Sequence, residues 1–283
     1  MKFVKMHGCG NDYVYVNGFR ERLRDPARTA VAISDRRTGV GSDGLIIIQP
    51  SSSADFRMEM YNADGSEGEM CGNGLRCIGK YVYENGLTKK KSVTVETKGG
   101  PVKLRLDAPN GTVRSVTVDM GRPRKIGKNF LAGADGRAIM EKRRIAVGGK
   151  SFQGHILSMG NPHCVIFVKD VATIPIERLG RAIEQNKLFP ARVNVEFVAL
   201  KGRCRAIQRT WERGSGETFA CGSGACAVGV AAFLTGRAER KLEIELKGGR
   251  LLIEYTRAGT VLMTGPAVEV FRGEWMPESP GLR

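Results

Sequence analysis

The sequence predicts an α+β fold built from two similar β-rich halves, each wrapped around one central helix. Three observations predict it. The 283 residues are enough for two domains, one motif recurs at an offset of 150 residues, and short runs of β-branched and aromatic residues occur in both halves. We expect domains over residues 1–121 with 266–283, and over 122–265. A cleft between such halves is the expected ligand site.

The recurring motif carries two of the seven cysteines. Cys71-Gly72-Asn73-Gly74 returns as Cys221-Gly222-Ser223-Gly224, and Asn11 and Asn161 each lie 60 residues before the cysteine of their half. Further along, KGGPVKLRL (98–106) is echoed by KGGRLLIEY (247–255). A single offset shared by so many positions indicates a duplicated unit.

Each half has the same expected order of elements. One helix follows each cysteine motif, over 74–85 and 224–235, and Gly86 and Gly236 supply left-handed caps at the ends. The strands are bounded by turns that contain glycine or proline. They are predicted over 13–17, 45–49, 92–97, 113–119, 164–168, 196–200, 242–246 and 251–255.

Composition is typical of a soluble globular protein, with 41% hydrophobic and 26% charged residues. No apolar run approaches the roughly 18 residues that span a bilayer, and the N-terminus lacks the apolar core of a secretory signal. We therefore expect a cytoplasmic protein with no membrane partner. The net charge is +16, but the basic residues are scattered and aromatics make up 7%. This favours a solvated basic surface over a nucleic-acid site.

The cysteines are spread along the chain and odd in number, which is typical of reduced thiols rather than a disulfide framework. No pair has the C-x2-C spacing of a zinc site, so no metal is expected. Cys77, Cys204 and Cys226 are expected to be buried apolar residues. Cys71 and Cys221 are predicted to be functional because of their glycine context.

A cysteine placed just before a helix meets N–H groups that lack partners and carry partial positive charge. We expect this position to lower the pKa of the thiol, and the same N–H groups can bind a carboxylate. Two such cysteines suit the inversion of a stereocentre. One takes the α-proton, and the other returns a proton to the opposite face.

Five segments together resemble the diaminopimelate epimerase family over nearly the whole chain. They are KMHGCGNDYVYVN, YNADGSEGEMCGNGLRC, SMGNPHCVIFV, RVNVEFV and ERGSGETFACGSGACA. The resemblance implies interconversion of LL- and meso-2,6-diaminopimelate in lysine and peptidoglycan-precursor synthesis. It implies no cofactor, neither pyridoxal phosphate, metal nor nucleotide. The partner is then a small dicarboxylic diamino acid, and a homodimer is plausible.

Carried over by position, the resemblance implies that Cys71 removes the proton from the LL isomer and Cys221 from the meso isomer. His163 and Glu212 would be auxiliary residues, with His163 polarising the cysteine site. Arg213 offers the planar fork that a distal carboxylate requires, and Glu212 with the Asn62 and Asn194 oxygens can accept from a distal ammonium. The implied substrate-binding residues are Asn11, Asn62, Gly72, Asn73, Asn161, Asn194, Glu212, Arg213, Gly222 and Ser223.

One position departs from the family. Gly44 stands where some members have Gln, so it is left out of the site, although both residues are expected to be compatible with the fold.

Three alternatives stay open. Another two-cysteine racemase, acting on proline, hydroxyproline or histidine, would not need the Glu212-Arg213 pair. A nucleotide binder is suggested by RIAVGGKS (144–151), but Arg144 stands where a P-loop needs glycine. An isomerase of the same fold without the cysteine pair is disfavoured by the presence of both cysteines.

Overall fold

A computed structural model of the chain describes residues 1–276. The chain divides into two compact units. The first is Met1–Val118 with the C-terminal segment that begins at Pro266, and the second is Asp119–Gly265. Residues 277–283, which the sequence assigned to the N-terminal half, lie outside the described residues.

Both units are rich in β-strands. Along the chain the first unit supplies β1 (Lys2–Gly8), β2 (Asn11–Asn17), α1 (Pro26–Ser34), β3 (Gly44–Gln49), β4 (Phe56–Asn62), α2 (Gly72–Glu84), β5 (Ser92–Thr97), β6 (Gly100–Asp107) and β7 (Ser115–Asp119). The second unit supplies β8 (Met140–Val147), β9 (Lys150–Ser158), β10 (Pro162–Phe167), α3 (Ile176–Glu184), β11 (Asn194–Leu200), β12 (Arg205–Glu212), β13 (Gly216–Thr218), α4 (Gly222–Leu234), β14 (Lys241–Leu246), β15 (Gly249–Tyr255) and β16 (Val261–Gly265). The chain then returns to the first unit with β17 (Val268–Glu274).

Strand pairing repeats between the units. In the first, β1 pairs antiparallel with β2 and β17, β2 and β3 are parallel, and β3 and β4 are antiparallel. Strands β4 and β5 are parallel, and β5, β6 and β7 continue antiparallel. In the second, β9, β10, β11, β12, β14, β15 and β16 follow the same order and directions, with β8 beside β9. The α+β class and the duplication are confirmed.

Helices α2 and α4 are the central helices of their units, since ten of the thirteen residues in each are buried. Both end as predicted on a left-handed glycine, with φ of 72° at Gly86 and 71° at Gly236. Beyond the first, Leu87 N donates to Val82 O at 2.9 Å, the backbone pattern of a glycine-terminated helix. The structure starts each helix two residues before the predicted residue, at Gly72 and Gly222.

Two further helices were not predicted. Helices α1 and α3 have nine residues each and start at Pro26 and Ile176, which the 150-residue offset relates. Helix α1 begins at Asp25, whose carboxylate accepts from Arg28 N at 3.0 Å. Both helices have nine residues, fewer than the roughly 10–12 that mark a helix by periodicity, although the buried residues Ile176, Leu179 and Ile183 of α3 do follow a helical spacing. Within residues 1–276, no helix has the length and apolar character needed to cross a bilayer.

Candidate active site

Both motif cysteines occupy the N-cap position of a central helix, as predicted. Cys71 caps α2 and accepts from Gly74 N at 3.4 Å, and Cys221 caps α4 and accepts from Gly224 N at 3.4 Å. Both cap residues have extended backbone. Each sulfur therefore sits at the positive end of a buried helix.

Asn11 organises the surroundings of Cys71. It is the first residue of β2, and its Oδ1 lies 3.3 Å from Cys71 Sγ and 3.2 Å from Asn73 Nδ2, both of which donate to it. Asn11 Nδ2 donates to Asp43 Oδ2 at 2.8 Å. Asn73 lies in the first turn of α2 with Gly72, so three predicted site residues lie next to the first cysteine.

Asn62 is placed differently. It ends β4, and its Nδ2 donates to Ser66 Oγ at 2.9 Å across the turn that follows. Its side-chain oxygen takes no part in that hydrogen bond.

A hydrogen-bonded chain leads from Cys221 into the core of the second unit. Cys221 Sγ lies 3.6 Å from Ser223 Oγ, which accepts from Asn161 Nδ2 at 3.3 Å. Asn161 Oδ1 lies 2.9 Å from His163 Nε2, and His163 Nδ1 lies 2.8 Å from Glu196 Oε1. His163 and Glu196 are fully buried.

Glu212 forms the other side of the Cys221 environment. It ends β12, accepts from Thr218 Oγ1 at 2.5 Å and hydrogen-bonds with the Cys221 thiol. Burial raises the pKa of Glu212 above its ordinary value, against the opposing effects of Thr218 and His163.

The expectation of a lowered pKa is wrong for Cys221. Burial raises the pKa of the Cys221 thiol well above its usual value, and the nearby Glu212 and Glu196 carboxylates raise it further. Ser223 and the Gly224 N–H act in the opposite direction, as the helix position requires, but they are outweighed. Burial destabilises the Cys221 thiolate by more than the helix N-terminus stabilises it.

The remaining predicted residues lie on the same unit. Asn194 begins β11, and its amide is engaged at both ends, accepting from Arg213 N at 2.9 Å and donating to Pro162 O at 3.0 Å. The Arg213 guanidinium donates to Ala191 O at 3.0 Å in an exposed position. Gly222 is buried in the first turn of α4.

Sequence reasoning missed two carboxylates. Glu196 is a single acidic residue within the buried strand β11, and the offset relates it to Ile46 of the first half. Glu196 Oε2 has no hydrogen-bond partner among residues 1–276. Asp43 lies in a Gly-Ser turn just before β3, where acidic residues are common turn formers. The sequence did offer one signal for Glu196, since it is a single acidic residue within an otherwise apolar segment.

Two expectations about other positions are corrected. Cys204 is exposed, whereas Cys77 and Cys226 are buried as expected. Gly44 leaves no room for a larger residue, because a Cβ there would lie 2.1 Å from Tyr61 O and 2.9 Å from Tyr13 Cε1. In this chain Gln at position 44 requires the backbone to move.

The fold is one that amino-acid epimerases and racemases share. The structure is similar to a hydroxyproline epimerase from Agrobacterium vitis (TM-score 0.67, 16% identity, covering 96% of this chain and 90% of that one). It is similar to a proline racemase homologue from Agrobacterium radiobacter (TM-score 0.69, 14% identity, 99% and 94%) and to a PhzF-family phenazine biosynthesis protein from Bacillus anthracis (TM-score 0.69, 17% identity, 98% and 99%). At such identities the likeness shows the fold alone.

The sequence narrows this class to one family. The family profile for diaminopimelate epimerase matches residues 3–126 and 155–270. Relatives named diaminopimelate epimerase include those of Acetivibrio thermocellus (49% identical over 275 residues, 97% of this chain and 98% of the relative) and Agathobacter rectalis (51% over 281 residues, 97% and 99%). The chain therefore belongs to the diaminopimelate epimerase family and is an isomerase. The predicted family is confirmed.

Proposed function

We propose that this protein interconverts LL- and meso-2,6-diaminopimelate by proton transfer at one α-carbon, with Cys71 and Cys221 as the two bases. The observation that carries the proposal is the pair of equivalent N-cap cysteines, each hydrogen-bonded to the N–H of the third residue after it. Inversion requires one group to remove the proton and a second to deliver one to the opposite face. A thiolate and a thiol supply that pair and exchange roles in the reverse direction.

The α-carboxylate gains negative charge as the proton leaves. N–H groups at helix N-termini stabilise such charge because they are already oriented before the reaction begins. The first turns of α2 and α4, with Gly72, Asn73, Gly222 and Ser223, provide these donors in the proposal.

Auxiliary residues hydrogen-bond with Cys221, either directly or through other side chains. Glu212 contacts the Cys221 thiol, and the chain from His163 through Asn161 reaches it by way of Ser223. In the proposal, Arg213, Asn62 and Asn194 recognise the distal amino-acid end of the substrate. Arg213 must then exchange its backbone acceptor, Ala191 O, for a carboxylate.

The proposal includes the cellular context that the family resemblance implied. The reaction would serve lysine and peptidoglycan-precursor synthesis in the cytoplasm, without an added cofactor, and the protein would act as a homodimer. It would bind neither nucleic acid nor membrane.

Deuterium exchange tests the reaction and its substrate together. The purified protein is incubated in deuterium oxide with LL-diaminopimelate, and in parallel with L-proline and L-histidine. We expect α-deuterium in diaminopimelate, accompanied by the meso isomer, and none in the single-centre amino acids. Label that enters only proline or histidine would refute the diaminopimelate assignment.

Single substitutions test the two-base scheme. Cys71→Ala and Cys221→Ala should each lower epimerisation by at least about 10²–10⁴-fold, the range of a lost acid or base. Cys204→Ala, at the exposed cysteine, is the matched control and should retain activity. Full turnover by either active-site variant would exclude two cysteine bases.

A further inference from the structure

Asp43 lies behind Asn11, on the side away from Cys71. Its Oδ2 accepts from Asn11 Nδ2 at 2.8 Å and from Asp12 N at 3.1 Å. Its own backbone N–H donates to Asp12 O at 2.8 Å. Because the backbone bonds join Asp43 to the start of β2, its carboxylate is fixed opposite the Asn11 side chain.

The acceptor oxygens of Asp43 set how the Asn11 amide points, in the same sense as the Asn73 Nδ2 donor on its other side. Burial and the Asp12 carboxylate raise the pKa of Asp43, whereas Arg36 Nη2, 2.9 Å from Asp43 Oδ1, and the donors Asp12 N and Asn11 Nδ2 favour the carboxylate form. A carboxylate only accepts hydrogen bonds. Asn11 must therefore present its NH2 group to Asp43. Its oxygen is then directed to the opposite side, where Cys71 Sγ lies 3.3 Å away.

An acceptor beside Cys71 has a chemical consequence. The Asn11 oxygen stabilises the thiol, which can donate to it, and repels the thiolate, which cannot. A thiolate that is less stabilised is a stronger base. The α-proton of an amino acid is weakly acidic, so a stronger base assists its removal.

The second half orients its equivalent asparagine the other way. Asn161 directs its oxygen to His163 Nε2 and its NH2 group to Ser223 on the cysteine side. The position related to Asp43 by the offset is Val193, a fully buried apolar residue. The amide direction at Asn11 is thus a property of the first half, where the carboxylate is present.

We propose that Asp43 is a positioning residue for Cys71: it holds the Asn11 amide with the oxygen toward the thiol and so makes the Cys71 thiolate a stronger base. The catalytic meaning of this arrangement rests on the proposed function of Cys71.

Other ionisable groups surround this arrangement. Asp12, Lys5 and Arg36 form ion pairs beside Asp43, with Lys5 Nζ 2.7 Å from Asp12 Oδ2 and Arg36 Nη2 2.8 Å from Asp12 Oδ1. Tyr15 on β2 and Cys77 on α2 interact electrostatically with Cys71, and burial raises the pKa of both. Both variants below remove the Asp43 charge from this cluster in the same way, so a difference between the two variants does not come from these ion pairs.

The test measures the basicity of Cys71 directly. Wild type, Asp43→Ala and Asp43→Asn are alkylated with iodoacetamide over a range of pH, and the Cys71 peptide is quantified by mass spectrometry. In Asp43→Ala the Asn11 amide can turn its NH2 group to the sulfur, so we expect the Cys71 midpoint to fall by about one pH unit. Asp43→Asn loses the same charge but keeps an oxygen for Asn11 Nδ2 and Asp12 N, so its midpoint should stay close to that of wild type.

Epimerisation should follow the same order, falling about tenfold in Asp43→Ala and recovering in Asp43→Asn. An unchanged Cys71 midpoint in folded Asp43→Ala would overturn the proposal. Equal shifts in both variants would also overturn it, because the effect would then be that of the lost charge alone. If Asp43→Ala does not fold, Asp43→Leu, which keeps the volume without an acceptor, replaces it under the same criteria. The alkylation result does not depend on turnover, so failure of the proposed epimerase activity is recognised separately.

Discussion

Around Cys221 two carboxyl groups lie close to one buried sulfur. Glu212 hydrogen-bonds with the thiol, and both Glu212 and Glu196 raise its pKa in addition to burial. The thiol therefore keeps its proton at neutral pH, which suits the proposed role of Cys221 as the group that returns a proton to the α-carbon. Its thiolate, once formed, is correspondingly a strong base.

Glu212→Gln should lower the pKa of Cys221, since it removes a negative charge that favours the thiol. The alkylation midpoint of Cys221 should then move to lower pH by about one unit. Iodoacetamide labelling with quantification of the Cys221 peptide measures it. Glu217→Gln removes the same charge from a partly exposed ion pair with Arg209 and is the control. A shift to higher pH in Glu212→Gln would contradict the electrostatic account.

Glu196→Ile places in the second half the residue that the first half has at the equivalent position. It removes the partner of His163 Nδ1, so on the proposed role of His163 we expect kcat to fall about 10–100-fold, the loss that removing the partner of a metal-bound histidine causes. The melting temperature should fall, because the fully buried His163 loses its Nδ1 partner while remaining in the core. Glu196→Gln keeps an oxygen for the histidine and should recover much of the activity. Full activity of Glu196→Ile would show that the buried carboxylate does not act through His163.

The repeat drew attention to Cys71 and Cys221, and the family resemblance added His163, Glu212 and Arg213, which differ from their counterparts Tyr13, Asn62 and Ala63. Cys71 and Cys221 were recognisable because the same glycine context occurs twice. Glu196 and Asp43 have Ile46 and Val193 as counterparts, so the repeat gave no signal for them. The raised pKa of Cys221 could not be predicted, because it depends on burial and on carboxylates that approach only in the folded chain.

At the scale of elements, the central helices lie directly on the neighbouring strands. A Cβ on Gly79 of α2 would lie 2.8 Å from Leu106 Cδ2 of β6, and one on Gly229 of α4 would lie 2.6 Å from Ile253 Cγ2 of β15. The two glycines are related by the offset. Both halves therefore have a glycine at the same point of the central helix, where helix and strand pack closely.

Gly229→Ala should lower the free energy of unfolding by about 1–3 kcal/mol, the cost of an overpacked core, even though alanine favours helix. Chemical denaturation measures it. In a double-mutant cycle with Ile253→Ala the two losses should be less than additive, since the second change removes the atom that clashes. Strict additivity would show that the contact is not the cause.

The elements found from sequence were those with strong boundary signals. Strand 92–97 was predicted with the bounds observed for β5, and both central helices were predicted from their terminal glycines. Helices α1 and α3 were missed because each has only nine residues, although the apolar residues of α3 do follow a helical spacing. The strands that were not predicted are β1, β4, β6, β8, β9, β12, β13, β16 and β17. Strands β8 and β17 lack an apolar pattern because few of their residues are buried, whereas β1 is mostly buried and was overlooked.

At the scale of the whole molecule, one strand departs from the order of the repeat. The outer strand beside β9 is β8, which precedes it in the chain, whereas the outer strand beside β1 is β17 from the end of the chain. Phe271 of β17 stacks edge to face on Phe3 of β1, with ring centres 5.8 Å apart. The fully buried Arg76 donates to Pro266 O at 3.0 Å, linking α2 to the segment that leads into β17.

Deleting the chain after Gly265 should therefore loosen the first unit selectively. It removes the partner of β1 and the acceptor of Arg76, whereas every strand pair of the second unit described above is retained. Hydrogen exchange should show lost protection in β1, β2 and α2 and retained protection in β9, β10 and α4. The second unit is the internal control. Equal loss of protection in both units would contradict this selectivity.

The pairing of β17 with β1 also determines which unit can complete its set of strands first during synthesis on the ribosome. A nascent chain normally completes its N-terminal domain first. Here the strand that β1 requires is synthesised after all of Asp119–Gly265, so the sequence-contiguous unit in the middle can finish folding while the first still lacks its outer strand. Until β17 has been synthesised, Cys71 belongs to a unit that is not yet closed.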